Sequence, residues 1–459
     1  MQRTKISRLE KVGFALTNLG NIPIRTLLNT YLLIFYTDVI GIAPATVSTL
    51  FLVSRLLDGI SDPLIGFFID RFPTTKFGKY RPILIIGTMI CCINYLLVWF
   101  SPLLFTSHKI IAISLSYILL GVTFDLMDIP LNSLLPVLTN QENERNILSS
   151  IKGIAYTVGP TLLNVIAPLL LSIYSDGISG YLVLITGAVI VVLFFTIIGT
   201  LALKERVNKE VVDSVKKKNY SLKEVRNILK IRPVAILFVS MLFITAASNI
   251  FNGSLLYYLN YMLKDPRLLS VASLVGLFGA LGAGMIVPKV SRKLGKKNLY
   301  TCALVLLSIA MVCLISFHES KVIFLIAYVM VQIGLGLTNT LQYSLSADNV
   351  DLIRKELRIE SAALMASFNS LIMKFAMAVG GAVPGLILTY TGYVANKEQI
   401  ASASMGIILT TFIVPLILYL CTAAIFYLGY SPYLFARVSK KKIFTGLGCS
   451  SFSFWMLEV

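Results

Sequence analysis

The sequence predicts an all-α polytopic membrane protein with twelve transmembrane helices in two six-helix halves. Three observations lead there. Of its 459 residues 56% are hydrophobic and 14% charged, and the mean hydropathy is +0.82, far from the values of a soluble globular domain. Apolar runs long enough to cross a bilayer, which takes about 20 residues, fall near 13–37, 43–69, 82–103, 109–137, 148–173, 178–203, 233–262, 268–290, 299–317, 322–346, 361–391 and 402–430. Basic residues are dense in every second connection between these runs and sparse in the others.

The first run is too long for the core of a signal peptide and no small-residue cleavage site follows it, so the N-terminus is expected to stay on the chain. After the sixth run comes the longest polar segment, "KERVNKEVVDSVKKKNYSLKEVRNILKIRP", Lys204 to Pro233. It divides the chain into a first half 1–203, a cytoplasmic central loop 204–232, a second half 233–430 and a cytoplasmic tail 431–459. Within the loop, Leu222, Val225 and Leu229 have helical spacing, which suits a helix on an anionic membrane surface and equally a solvated linker. The tail end "IFTGLGCSSFSFWMLEV" shows no periodicity. Thirty of the 40 Lys and Arg lie on one side of the membrane, from Arg3 to Lys442, against five on the other: Lys109, Lys264, Arg267, Lys321 and Lys397. The positive-inside rule then puts both termini in the cytoplasm of a cell (plasma or inner) membrane. This placement accounts for the net charge of +18 without nucleic acid. The partners expected are membrane lipid and a small polar solute, with the chain acting as a monomer.

Several chemistries are excluded. The six cysteines lie mostly in apolar runs without a CxxC pair, and the two histidines, His108 and His318, fall at the outer ends of runs. Neither set makes a metal or catalytic site. No GxxxxGK[ST] phosphate loop is present. The chain is expected to be no enzyme and to hold no cofactor.

The charges inside the runs ask for a function. In "VSRLLDGISDPLIGFFIDR", Arg55, Asp58, Asp62 and Gly66 stand at steps of three and four on one helix face. "GVTFDLMDIPLNSLLP" adds Asp125 and Asp128 beside Pro130 and Pro136. Charges in a bilayer are costly and should face protein or water. Pro130 frees a carbonyl near Leu126, and free carbonyls beside carboxylates suit Na⁺; crowded, buried carboxylates equally suit a proton. Positive charges within runs are Arg25, Arg55, Lys152 and Lys374, with Lys289 at an edge. Lys374 stands alone in the second half, and its expected partners are the first-half carboxylates. Such a pair would tie the halves together in a way that a bound cation weakens, or as a fixed lock.

The two halves carry a weak repeat: "DRFPTTKFGKYRP" after the second run and "SRKLGKKN" after the eighth are both short, basic and glycine-bearing. Parallel repeats of six spans are the layout of the major facilitator fold, with solute bound between halves at the midplane. Beyond this, "YTDVIG", "SRLLDGISDPLIG" with "KFGKYRP", "MDIP", "ADNVD" with "LRIES", and "SFNSLIMK" resemble the glycoside-pentoside-hexuronide:cation symporters, the melibiose-permease-like branch of that superfamily, from about Lys11 to Tyr393. The resemblance implies that Asp58 and Asp62 are cation ligands, Asp128 a sugar ligand, and Lys374 the coupling residue; Arg55, on the face of Asp58 and Asp62, is a further candidate for coupling. Two departures bear on the solute. The family's helix-one sugar-binding aspartate falls on Ile22, and a sugar-contacting tryptophan falls on Asn132. A family threonine near the cation is here Asp125, which joins the candidate cation ligands.

Arg25, three residues from Ile22 on the same face, puts a cation where an anion is lost. It would suit an acidic sugar or hexuronide, or it neutralises Asp125 or Asp128. Asn18, Asn21, Asn29, Asn132, Lys152, Tyr156, Gln332, Asn339, Gln342 and Tyr343 offer further donors or ring faces for a sugar, although such groups also serve as interhelical hydrogen bonds. The loop from Asp70, with Arg71, Gly78, Lys79 and Arg81, is expected to govern switching between access states. The reading reached is a secondary active symporter of a sugar, glycoside or hexuronide with Na⁺ or H⁺. The alternatives are a major facilitator carrier of a non-sugar or lipid-like solute, and a non-transporting membrane sensor.

Overall fold

The computed structural model describes residues 6–139, 141–174, 176–206, 222–357 and 362–430. The tail and most of the central loop therefore lie outside the described residues. What is described is almost wholly helical and contains no strand; a lone bridge joins Thr75 and Gly78. The helices are α1 (Arg8–Ile34), α2 (Pro44–Arg71), α3 (Tyr80–Leu104), α4 (Lys109–Leu138), α5 (Glu142–Leu171), α6 (Gly177–Ala202), α7 (Leu222–Leu229), α8 (Arg232–Tyr257), α9 (Leu268–Leu294), α10 (Lys296–Ser316), α11 (Lys321–Leu357), α12 (Ala362–Tyr390), α13 (Ala401–Ile408) and α14 (Val414–Gly429). One π-turn extends α1 over Phe35–Val39, another extends α8 over Tyr258–Met262, and a third, Leu409–Ile413, joins α13 to α14.

Ten of these helical segments are long and apolar enough to cross a membrane. The long helices α1 and α2 are not among them, because Asn18, Asn21, Arg25 and Asn29 dilute the first while Arg55, Asp58 and Asp62 dilute the second. The two helices with the weakest membrane signal are thus the two that carry the densest polar faces. The helix α11 runs to Leu357, well past the expected end at 346. In the central loop, Leu222–Leu229 is helical as its spacing suggested, and Ile228 is buried.

Packing repeats along the chain. Within α1–α6, α3 packs on α4 and α6, α1 on α5 and α6, and α2 on α4. Within α8–α14, α10 packs on α11 and α14, α8 on α12 and α14, and α9 on α11. Helix for helix these are the same pairings. The two sets meet along α2–α12, α5–α9 and α1–α8, a pattern that a two-fold exchange of the sets leaves unchanged. Close approach at α2–α12 depends on Gly385, where a Cβ would lie 2.1 Å from Ser48 Oγ, the small-residue contact expected where helices associate in lipid.

The end of the bundle opposite the N-terminus, where the connections are poor in charge, is closed by Asp38. The π-turn of α1 presents this carboxylate, and Tyr261 from the π-turn of α8 donates to Oδ2 at 2.5 Å. Tyr393 and Thr37 donate to Oδ1 at 2.7 and 2.6 Å. Asn396 donates to the Asp38 carbonyl at 2.6 Å. Apart from Thr37, these donors come from the second set.

At the other, basic end, α1 starts with a capping box. The Glu10 amide donates to Ser7 Oγ, and Ser7 N–H donates back to the Glu10 carboxylate. Arg206 then grips Glu10 with both terminal nitrogens, at 2.7 and 2.9 Å. Burial pushes the Glu10 carboxyl up, but the hydrogen bonds from Arg206 and Ser7 outweigh it and hold the group below the usual carboxylate range.

Candidate functional site

Halfway along the bundle a cavity is lined by Arg25 of α1, Arg55 and Asp58 of α2, Asp125 and Asp128 of α4, and Lys374 of α12. The helical spacing of Arg55, Asp58 and Asp62 does bring one charged face to this place. Arg55 donates to Asp58 Oδ2 at 3.0 Å. The Asp58 carboxylate is buried against the backbone of α4 at Gly121, where a Cβ would lie 1.9 Å from Oδ1. Only a glycine leaves it room.

Lys374, in the middle of α12, reaches across the α2–α12 contact. Its ammonium hydrogen-bonds Asp62 and lies 3.6 Å from Asp125 Oδ1. The other oxygens of this pair, Asp62 Oδ1 and Asp125 Oδ2, are buried and accept no hydrogen bond. Unsatisfied carboxylate oxygens are costly in a low-dielectric interior. Among the described residues no three acidic, His or Cys side chains converge closely enough to hold a metal ion; the ammonium stands among the carboxylates instead.

Toward the basic end a second cluster surrounds Asp128. Asn21 donates to Asp128 Oδ1 at 2.6 Å and Asn132 to Oδ2 at 2.8 Å. Lys152 donates to Asn132 Oδ1 at 2.5 Å and lies 5.6 Å from the centre of the Tyr156 ring. Asn132, Lys152 and Tyr156 therefore do gather round Asp128. Arg25 makes no close ion pair with Asp125 or Asp128, although it acts on Asp125 electrostatically from farther off; it lines the cavity and stacks over Phe124, 5.7 Å from the ring centre. Ile22 is turned onto Gly159 of α5.

Some expectations are corrected. Gln342 is not a cavity residue: its amide donates to the Tyr300 hydroxyl at 3.0 Å, a contact between α11 and α10. Tyr343 is 75% exposed but lies on the side of Tyr156, close enough to act on it electrostatically. The carbonyl of Leu126, freed by Pro130, is not offered to the carboxylates. It leans on α3 at Gly87, where a Cβ would lie 2.3 Å away, and α4 stays helical throughout.

The loop residues sit at the basic end. The Asp70 side chain lies outside the described residues. Arg71 stacks on Phe67 at 3.6 Å. Gly78 adopts φ +98°, a left-handed backbone that favours glycine, and so brings the first amides of α3 onto Glu205. Lys79, Tyr80 and Arg81 N–H donate to that carboxylate at 2.8–2.9 Å, satisfying orphan donors of a helix start. Arg81 in turn donates to the final carbonyls of α6, Thr200 and Leu201, at 3.0 and 3.1 Å. Glu205, Gly121 and the Asp38 clasp were missed by sequence reasoning. Each stands in a stretch quoted above, "YTDVIG" for Asp38, "GVTFDLMDIPLNSLLP" for Gly121 and the polar segment from Lys204 for Glu205, but nothing in those stretches marked its contact.

Comparison with known proteins gives the family. The family model for MFS/sugar transport proteins matches residues 13–457. The chain belongs to this family, in its melibiose-permease-like branch. It is 30% identical over 425 residues to the uncharacterized symporter YnaJ of Bacillus subtilis (strain 168), covering 90% of each chain. It is 30% identical to the isoprimeverose transporter of Lactiplantibacillus pentosus, covering 89% of this chain and 85% of that one. To the glucuronide carrier protein homolog of Escherichia coli (strain K12) it is 28% identical, with 88% of each covered. Among solved structures the D-xylose-proton symporter superposes with a TM-score of 0.67 at 12% identity, covering 92% of this chain and 97% of that one. That likeness concerns the fold. This MFS carrier is a multi-pass membrane protein.

Proposed function

We propose that the chain couples entry of a sugar or glycoside to Na⁺ or H⁺ by alternating access, with Asp58, Asp62 and Asp125 taking the cation. The observation that carries this reading is the position of Lys374 between Asp62 of α2 and Asp125 of α4. The ammonium belongs to one helix set and the carboxylates to the other. A cation arriving among these carboxylates competes with Lys374, loosens the α2–α12 tie and makes rearrangement of the sets depend on loading. Asp128, with Asn132, Lys152, Tyr156 and Asn21 around it, is the place for the solute's hydroxyl groups. The six charged side chains on the cavity wall favour a polar cargo over a lipid-like one.

In this reading the six-helix sets are the halves 1–203 and 233–430, joined by the segment 204–232, and the membrane is the cell membrane. The basic end faces the cytoplasm, and the Asp38 clasp closes the outer side. The segment Asp70 to Arg81, with Arg71, Gly78 and Lys79, governs switching through its ties to helix ends.

The test uses purified protein in proteoliposomes. Asp58→Asn and Asp62→Asn each remove a charge that the cation needs while sparing the solute contacts. Gradient-driven accumulation is expected to vanish and exchange of solute across the membrane to persist. Accumulation at the wild-type level in either variant rules the residue out as a cation ligand.

A further inference from the structure

The midplane region holds four cationic side chains, Arg25, Arg55, Lys152 and Lys374, and four carboxylates, Asp58, Asp62, Asp125 and Asp128. Three of the cations are engaged: Arg55 by Asp58, Lys374 by Asp62, and Lys152 by the Asn132 carbonyl. Asp128 is engaged as well, but by the neutral amides of Asn21 and Asn132. Arg25 is left over. No carboxylate among the described residues lies within ion-pair distance of it; Asp125 interacts with it only from farther off, and it stacks on the Phe124 ring. A guanidinium inside a membrane protein ordinarily has a counter-ion, because an uncompensated charge there is expensive. Here Arg25 lines the cavity where a solute would lie.

On the footing of the symport reading above, we propose that Arg25 anchors a carboxylate of the transported solute, so that the chain takes acidic sugars or their glycosides in preference to neutral ones. A planar guanidinium fits a carboxylate through two parallel hydrogen bonds. The overall charge gives a second argument. With all eight groups ionised, the empty region is neutral. A coupling cation adds one positive charge, and a monoanionic solute cancels it, whereas a neutral sugar leaves it uncompensated in a low-dielectric passage. The Asp128 cluster, which includes Asn21 one helical turn before Arg25 on α1, would exchange its amide hydrogen bonds for those of the solute's hydroxyl groups.

The experiment follows thermal stabilisation of the purified full chain by matched pairs, methyl β-glucuronide against methyl β-glucoside and methyl galacturonide against methyl galactoside, each with and without Na⁺ and at two pH values. In the wild type the carboxylated member of at least one pair is expected to bind about tenfold or more tightly than its neutral partner. Arg25→Gln is expected to keep the wild-type Tm without ligand and to lose that preference, while Arg25→Lys keeps part of it. The proposal is overturned if no carboxylated member binds better than its neutral partner. It is also overturned if the preference survives in Arg25→Gln, or if Arg25→Gln lowers Tm and Asp128→Asn or Asp125→Asn restores it. Cation-dependent binding of a neutral member alone overturns the acidic-solute inference and leaves the symport reading standing.

Discussion

Asp38 and Asp62 are both aspartates at the contact between the two helix sets, and they are held in opposite ways. Both carboxylate oxygens of Asp38 accept hydrogen bonds from neutral hydroxyls, those of Thr37, Tyr261 and Tyr393. Asp62 is held by an ammonium on one oxygen, while its other oxygen is buried without a donor. A carboxylate satisfied by several short-range donors has nothing to gain from an arriving ion. One that shares a single cation with Asp125 and keeps an orphan oxygen can exchange that cation for another. On the symport reading proposed above, the Asp38 clasp would act as a latch and the midplane cluster as an exchange site. The same residue type serves both, according to whether its partners are neutral or charged.

The largest effect is expected at the latch. Asp38→Ala leaves the Tyr261 and Tyr393 hydroxyls without their acceptor, at about 1–3 kcal/mol for each buried orphan. The closed state should lose population by about tenfold or more. A cysteine placed at Ile34, which is buried near the clasp, should then react faster with an impermeant thiol reagent from the charge-poor side. An unchanged rate would mean that Asp38 does not hold this end shut.

At the exchange site the comparison sharpens with Gly121→Ala. The added Cβ would stand 1.9 Å from Asp58 Oδ1, so the carboxylate must turn away, and the half-saturating cation concentration should rise by about tenfold. Affinity for cation as in the wild type would show that the position of Asp58 is immaterial.

Much of this site was legible in the sequence because charge in an apolar run is conspicuous. Steps of three and four placed Arg55, Asp58 and Asp62 on one face, and the isolation of Lys374 announced a partner in the other set. What escaped were features with no sequence contrast. Gly121 matters only because Asp58 comes from another helix to rest on it. Gln342 reads as inward by periodicity, yet a neighbouring Tyr300 takes its amide. The carbonyl behind Pro130 was assigned to the cavity, but direction around a helix axis depends on the close packing of α3 at Gly87. The span signal was weakest where the site is, since α1 and α2, though counted among the twelve runs, are diluted in apolarity by the polar residues that line the cavity.

A smaller effect is expected at the basic end, where Glu10 is held below the usual carboxylate range by Arg206 and Ser7 against the opposing pull of burial. A depressed carboxylate stabilises the fold above its unfolded pKa, and this contribution is lost as pH falls through the lower, folded value. Lowering the pH from neutrality into that acidic range should therefore reduce Tm less in Glu10→Gln than in the wild type. Equal acid sensitivity would remove Glu10 from the account. Smallest of all, Glu205→Gln weakens the cap on α3 and should cost about 1 kcal/mol, read as a modest fall in Tm with solute affinity unchanged.

The exchange of Lys374 for the coupling cation is the central claim, and Lys374→Gln tests it most directly. If the ammonium competes for Asp62 and Asp125, removing it should tighten cation binding by about tenfold or more, even as gradient-driven accumulation is lost. The measurement is the Na⁺ and pH dependence of thermal stability in the purified variant, set against the wild type. A lower half-saturating Na⁺ concentration, or protonation at higher pH, is the result predicted. Weaker or unaltered binding of both ions would contradict it, leaving Lys374 as a fixed strut between the two helix sets.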